Sequence, residues 1–171
     1  MVRNHNMSYL ETRRIRHFFL SGSAMRSVKW EQRILEQLSP SHKNLLAERF
    51  WGEKVRRILY CQGVSERFLG QFVLKFKPRA YAQDERIEAP DCLVVLTSGV
   101  VSVNGHIKLK GSFIGADFVL PTALRRVWSA LTLTFADALM CHETDFRELC
   151  LEASNKDFES IHRKVVKDTI E

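Results

Sequence analysis

Between Leu93 and Phe146 the apolar positions come in short β-branched bursts, not in helical stripes. Leu93-Val94-Val95-Leu96 and Val100-Val101-Ser102-Val103 are separated by Thr97-Ser98-Gly99, and Asn104-Gly105 leads into His106-Ile107-Lys108-Leu109. Asn-Gly supplies the positive φ angles of a two-residue hairpin turn, so the runs on either side of it are predicted strands. Beyond Gly111, the stretch Ser112 to Asp117 is followed by a brief helix-compatible piece closing on Arg125-Arg126. Ser129 to Phe135 and Ala136 to Cys141 are two further predicted strands. Period-two burial places Leu93, Val95, Leu109, Phe113, Leu131, Leu133 and Phe135 inside. The arrangement expected is α+β: a small antiparallel β roll flanked by helices.

The flanks have helical spacing. Tyr9, Ile15, Phe18 and Phe19 fit one helix, with Ser8 and Glu11 spaced as a capping box and Ser21-Gly22-Ser23 as its end. Trp30, Ile34, Leu35 and Leu38 define a second helix over Val28 to Leu38, which Ser39-Pro40-Ser41 stops while capping the next. Residues 41 to 61 continue with Leu45, Leu46 and Phe50 before Gly52, then Val55, Ile58 and Leu59. Phe68, Phe72, Val73 and Phe76 suit a helix leading into the roll. After the roll, a helix opens at Thr144-Asp145-Phe146, Ser154-Asn155 interrupts, and a last amphipathic helix carries Phe158, Ile161, Val165 and Val166 on one stripe.

Composition changes this picture little, and charge changes it more. A chain of 171 residues with 45% apolar side chains can bury one full core and a smaller helical appendage. No apolar run approaches the roughly 20 residues needed to cross a bilayer, and no signal peptide is evident, so a soluble chain is expected. Cys61, Cys92, Cys141 and Cys150 lack close pairing and are read as reduced, mostly buried thiols, and the six scattered histidines offer no metal site. No cofactor is expected. Residues 1 to 60 hold 12 Lys/Arg against 5 Asp/Glu, whereas the remainder holds 14 against 15. A basic first third can face an acidic protein, an anionic inner leaflet or solvent. Nucleic acid is not expected as a partner, because no aromatic platform or recognition helix accompanies the charges. No nucleophile, base and orienting group share a useful spacing, so the chain is not read as an enzyme.

The candidate chemistry lies around Gly115. A glycine, a short helical turn and an arginine set inside a roll can hold a phosphate through free N–H groups and a guanidinium. At Gly115 and Arg125-Arg126 the chain resembles the cyclic nucleotide-binding domain, whose phosphate cassette starts at Gly-Glu and closes on an Arg. Upstream, Ile34-Leu35-Glu36-Gln37-Leu38-Ser39-Pro40 and Val55 to Ile58 resemble the C-linker of cyclic-nucleotide-gated, hyperpolarisation-activated and ether-à-go-go-type channels. The resemblance covers about residues 9 to 168 and rests on the order of elements.

The resemblance implies a C-linker-like region over 8–64 and a nucleotide-binding-like domain over 65–171, with a jelly-roll-like β roll at about 77–142 and closing helices at 144–170. It implies a candidate cassette of Gly115, Ala116, Asp117, Arg125, Arg126 and Val127, with cAMP or cGMP as possible ligand. Counting back from Phe135 favours Arg126 as the phosphate ligand, and counting forward from Gly115 favours Arg125; both can equally be solvated loop charges. Ala116 stands where the family has a ribose-binding Glu, and the bulk of Trp128 can fill the purine space or belong to the core. Gln83-Asp84 replaces the usual Pro-Gly turn. The implied role is a cytosolic regulatory module of a potassium-type cation channel, self-associating, hypothetically as a tetramer, through its N-terminal helices beside a pore domain. A free-standing cyclic-nucleotide sensor is the other reading.

Overall fold

The computed structural model describes residues 8–21, 33–34, 37–47, 49, 53–58, 61–152 and 155–170. Helix α1 spans Tyr9–Ser21 and opens on the expected capping box: Ser8 N–H donates to Glu11 Oε2 (2.8 Å) and Glu11 N–H donates to Ser8 Oγ (3.2 Å). Most of the second predicted helix, Val28 to Leu38, lies outside the described residues; Arg33, Ile34 and Gln37 within it are helical. Helix α2 runs Pro40–Ala47, so the Ser39-Pro40-Ser41 segment opens the next helix as expected, with the proline as its first residue. Proline has no N–H to leave unsatisfied in a first turn, and Ser39 O accepts from Lys43 N–H (2.9 Å). Helix α3 is a single turn, Glu53–Arg56, followed by α4, Glu66–Leu74.

Eight strands follow: β1 Lys77–Tyr81, β2 Arg86–Ile87, β3 Cys92–Ser98, β4 Val101–Val103, β5 His106–Lys108, β6 Phe113–Ile114, β7 Ala130–Thr132 and β8 Ala136–His142. They form two four-stranded sheets, one in the order β1-β8-β3-β6 and the other β2-β7-β4-β5, with every pairing antiparallel. Helices α5, Glu143–Glu152, and α6, Asn155–Ile170, complete the chain. Helix α5 starts one residue ahead of Thr144, and its first N–H, that of Glu143, donates to Asp91 O (2.9 Å).

Two apolar layers hold the sheets. One lies between them and gathers Ile87, Val94, Leu96, Val101, Val103, Ile114, Ala130, Ala136 and Ala138. The other lies between the first sheet and the helices, where Leu93, Val95, Leu139 and Cys141 meet Val55, Ile58, Phe68, Leu69, Phe72, Val73, Phe146, Leu149 and Ile161. Strand β3 sits between both layers, which is why Leu93 to Leu96 reads as an unbroken apolar run. The ring of Phe146 meets Phe72 and Phe118 at centroid distances of 5.1 Å each, joining α5 to α4 and to the segment after β6. Helix α6 is tied to the start of α4: Asp157 accepts from Ser65 N–H (3.0 Å) and Oγ–H (2.7 Å), and Lys164 Nζ donates to Gln62 O. Ser65 Oγ in turn caps α4 by accepting from Phe68 N–H (3.2 Å).

The turns match their residues. Asn104 (φ 48°) and Gly105 (φ 83°) make the two-residue hairpin between β4 and β5, and Asp84 takes φ 63° between β1 and β2. Several burial expectations fail, however. Leu109 and Leu131 are exposed and Phe113, Leu133 and Phe135 are half-buried; on β7 it is Ala130 and Thr132 that face inward. Leu131 instead stands across from Arg86 and Ser102 on the outer side of the second sheet, beside Ile107, whose partner is also Ser102. Phe158 is likewise exposed, while Ile161 on the same helix is fully buried. Cys61, Cys92 and Cys141 are buried and Cys150 is intermediate, and all four are free thiols; burial pushes Cys61 and Cys150 up to about 12.

Candidate functional site

Strand β6 pairs with β3 through Ile114 and Val94, and the chain then turns at Gly115 in the left-handed region (φ 69°, ψ 35°). Any Cβ here would lie 2.5 Å from Cys92 O and 3.1 Å from Trp128 Nε1. Glycine is thus required by backbone conformation and by the main chain and indole packed against it. The helix-compatible piece is two short 3₁₀ turns, Ala116–Val119 and Thr122–Leu124, separated by Leu120-Pro121. Phe118 anchors the first in the core, and Ala116 is half-buried against the same cluster.

The two arginines have different fates. Arg125 is buried, with its side chain 7% exposed; Nε donates to Leu120 O (2.8 Å) and Nη1 to Asp91 Oδ1 (2.8 Å). Its Nη2 lies 2.5 Å from Glu143 Oε2 as an ion pair, without hydrogen-bond alignment, and Glu143 also pairs with Arg147 one turn along α5. The guanidinium therefore clamps the β2–β3 loop and the start of α5 together and is not directed at a ligand. Arg126 is exposed, and its main-chain N–H donates to Asp117 Oδ2 (2.6 Å). A carboxylate of the protein itself thus occupies an N–H that the loop could offer to an anion. Val127 is 94% exposed, its carbonyl accepting from Asn104 Nδ2 (3.3 Å).

The structure brings Gly115, Ala116 and Asp117 together with Arg126 and with Trp128, which packs against the layer between the sheets. It separates Arg125 from them by assigning that side chain to Asp91 and Glu143. Sequence reasoning missed those two partners because Asp91 lies 34 residues before Arg125, a separation that carries no local pattern. Among the described residues, no group of three or more His, Cys, Asp or Glu side chains is placed to hold a metal ion. Nor is any described helix long and apolar enough to cross a membrane. No protein-family model matches the chain, and a search of curated proteins finds no significant match.

Proposed function

We propose that the chain is a non-catalytic regulatory module of the cyclic nucleotide-binding type, joined to a C-linker-like helical region as in nucleotide- and voltage-gated cation channels. The observation that carries this reading is the strand order, β1-β8-β3-β6 against β2-β7-β4-β5. That order is what two successive Greek keys give when an eight-stranded jelly roll folds over on itself. Between its sixth and seventh strands lies a left-handed glycine followed by a 3₁₀ turn, the place where a cassette would meet a phosphate. Helix α4 before the roll and helices α5 and α6 after it supply the flanking elements this reading needs, and the Asp157–Ser65 hydrogen bonds give motion of α6 a direct route to the helical region.

In this reading the cassette is closed by its own residues. Ala116 offers no carboxylate to a ribose, Asp117 holds the Arg126 N–H, Trp128 lies against Gly115, and Arg125 is held by Asp91 and Glu143. Losing a charged hydrogen bond to the ribose alone costs roughly 1.5–3 kcal/mol, or about ten- to a hundredfold or somewhat more in affinity. Such a module passes on strain or partner binding, since a ligand moves an equilibrium only by its difference in affinity between two states. The test is calorimetric titration with cAMP and cGMP. The unaltered chain binds weakly or not at all, Ala116→Glu binds more tightly, and Arg126→Ala loses what binding exists; sub-micromolar binding by the unaltered chain would contradict the closed cassette.

A further inference from the structure

A cavity apart from the cassette opens on the inner side of the first sheet. Lys77 pairs with Met140 and Arg79 with Ala138, so these β1 side chains share the face that Tyr81, Ala136 and Ala138 turn toward the other sheet. Toward the end of β8 that face is uncovered, and the space beside it is a cavity of about 390 Å³ reached by Lys77, Arg79, Met140, His142 and the thiol of Cys92. Its size falls in the range of small-molecule sites.

The charges in it are unbalanced. Lys77 Nζ donates to Asp145 Oδ2 (2.8 Å), and this partner raises the Lys77 pKa above its ordinary value, so the two neutralise each other. Arg79 has no carboxylate partner among the described residues. His142 is oriented by its neighbour: Nδ1 accepts from Thr144 N–H (3.2 Å) and lies 2.9 Å from Thr144 Oγ1, so Nε2 is the ring nitrogen left to donate. The cavity therefore presents one uncompensated guanidinium and one free imidazole N–H beside an apolar wall. Met140 forms that wall with Cys92, its sulfur fixed by the hydroxyl of Tyr81 (3.0 Å). A single net positive charge next to Asp145 suits one negative charge better than two.

The geometry points to a binding site for a small organic monoanion, a carboxylate or phosphate diester whose oxygens meet Arg79 and His142 Nε2–H and whose apolar body lies on Met140 and Cys92. The site uses none of Gly115, Asp117 or Arg126, so it stands independently of the cassette. It is tested on the full chain by amide NMR titration with benzoate and methyl phenyl phosphate, both monoanions at neutral pH, with neutral benzamide as the uncharged probe. Saturable shifts are expected at the amides of Lys77, Arg79 and residues 140–145 with both anions and not with benzamide. Arg79→Gln weakens binding roughly five- to tenfold, equivalent to about 1–1.4 kcal/mol, while Lys110→Gln leaves it unchanged. Because the mapping is read on the unaltered chain, it does not depend on how the variants fold. Absence of saturable shifts, an equal response to benzamide, shifts centred on residues 115–127, or full affinity in Arg79→Gln would overturn the assignment.

Discussion

Replacing Gly115 with alanine tests whether the segment between β6 and β7 is packed around this residue, and Gly105→Ala is its matched control. Both glycines have positive φ, 69° and 83°, so each alanine incurs the left-handed penalty of about 1–2 kcal/mol. Their surroundings differ: a Cβ at Gly105 meets nothing within 4 Å, whereas one at Gly115 falls 2.5 Å from Cys92 O and 3.1 Å from the indole nitrogen of Trp128. The carbonyl cannot retreat freely, since Cys92 is paired with His142 in the ladder of β3 and β8. Overpacking of this kind adds about 1–3 kcal/mol, so Gly115→Ala should cost roughly 2–5 kcal/mol in all. At about 2–4 °C per kcal/mol for a chain of this length, Tm should fall by roughly 4–20 °C, against about 2–8 °C for Gly105→Ala. Urea and thermal unfolding followed by circular dichroism measure both. Equal losses in the two variants would refute the close approach of β3 and Trp128 to the glycine.

Other expectations concern the framework. Thr132 is fully buried, and its Oγ1 accepts from Glu85 N–H (2.9 Å) and donates to Ala82 O (2.5 Å), so Thr132→Val should lose about 1–3 kcal/mol in urea unfolding; an unchanged midpoint would show that the β1–β2 turn does not depend on it. Asp137 is buried, accepts from Ser98 Oγ (3.0 Å) and leaves Oδ1 without a partner, and burial raises its pKa above the ordinary carboxylate value. A folded pKa above the unfolded one destabilises the fold as pH rises through that interval, so Asp137→Asn should gain stability at pH 7, with the gain vanishing below about pH 3.9; a gain independent of pH would contradict this. Sedimentation of the full chain at rising concentration should show weak self-association through the N-terminal helices, and a strict monomer at high concentration would count against the C-linker reading.

Much of the framework was legible because it rests on local chemistry. Asn104-Gly105 dictated its hairpin, Ser8 and Glu11 their cap, and the β-branched bursts their strands. Which face each strand buries was less legible. Leu131 looks like core by hydropathy, but the sheet pairing sets Ala130 and Thr132 inward, and a shift of one position inverts every side chain on a strand. Gly115 was legible as the glycine of the candidate cassette, whereas its neighbours in space were not. The division of labour between Arg125 and Arg126 is decided by Asp91 and Glu143, and the open cavity by the pairing of β1 with β8, both tertiary facts without sequence periodicity.

The central claim, that a phosphate cassette lies between β6 and β7 and is closed by Ala116 and Trp128, is tested most directly by amide NMR of the Ala116→Glu/Trp128→Ala chain titrated with cAMP. The account predicts saturable shifts at Gly115, the residue 116 amide, Asp117 and Arg126, larger than any the unaltered chain gives at the same concentrations. Shifts absent from that segment, or confined to the neighbourhood of Arg79 and His142, would contradict it.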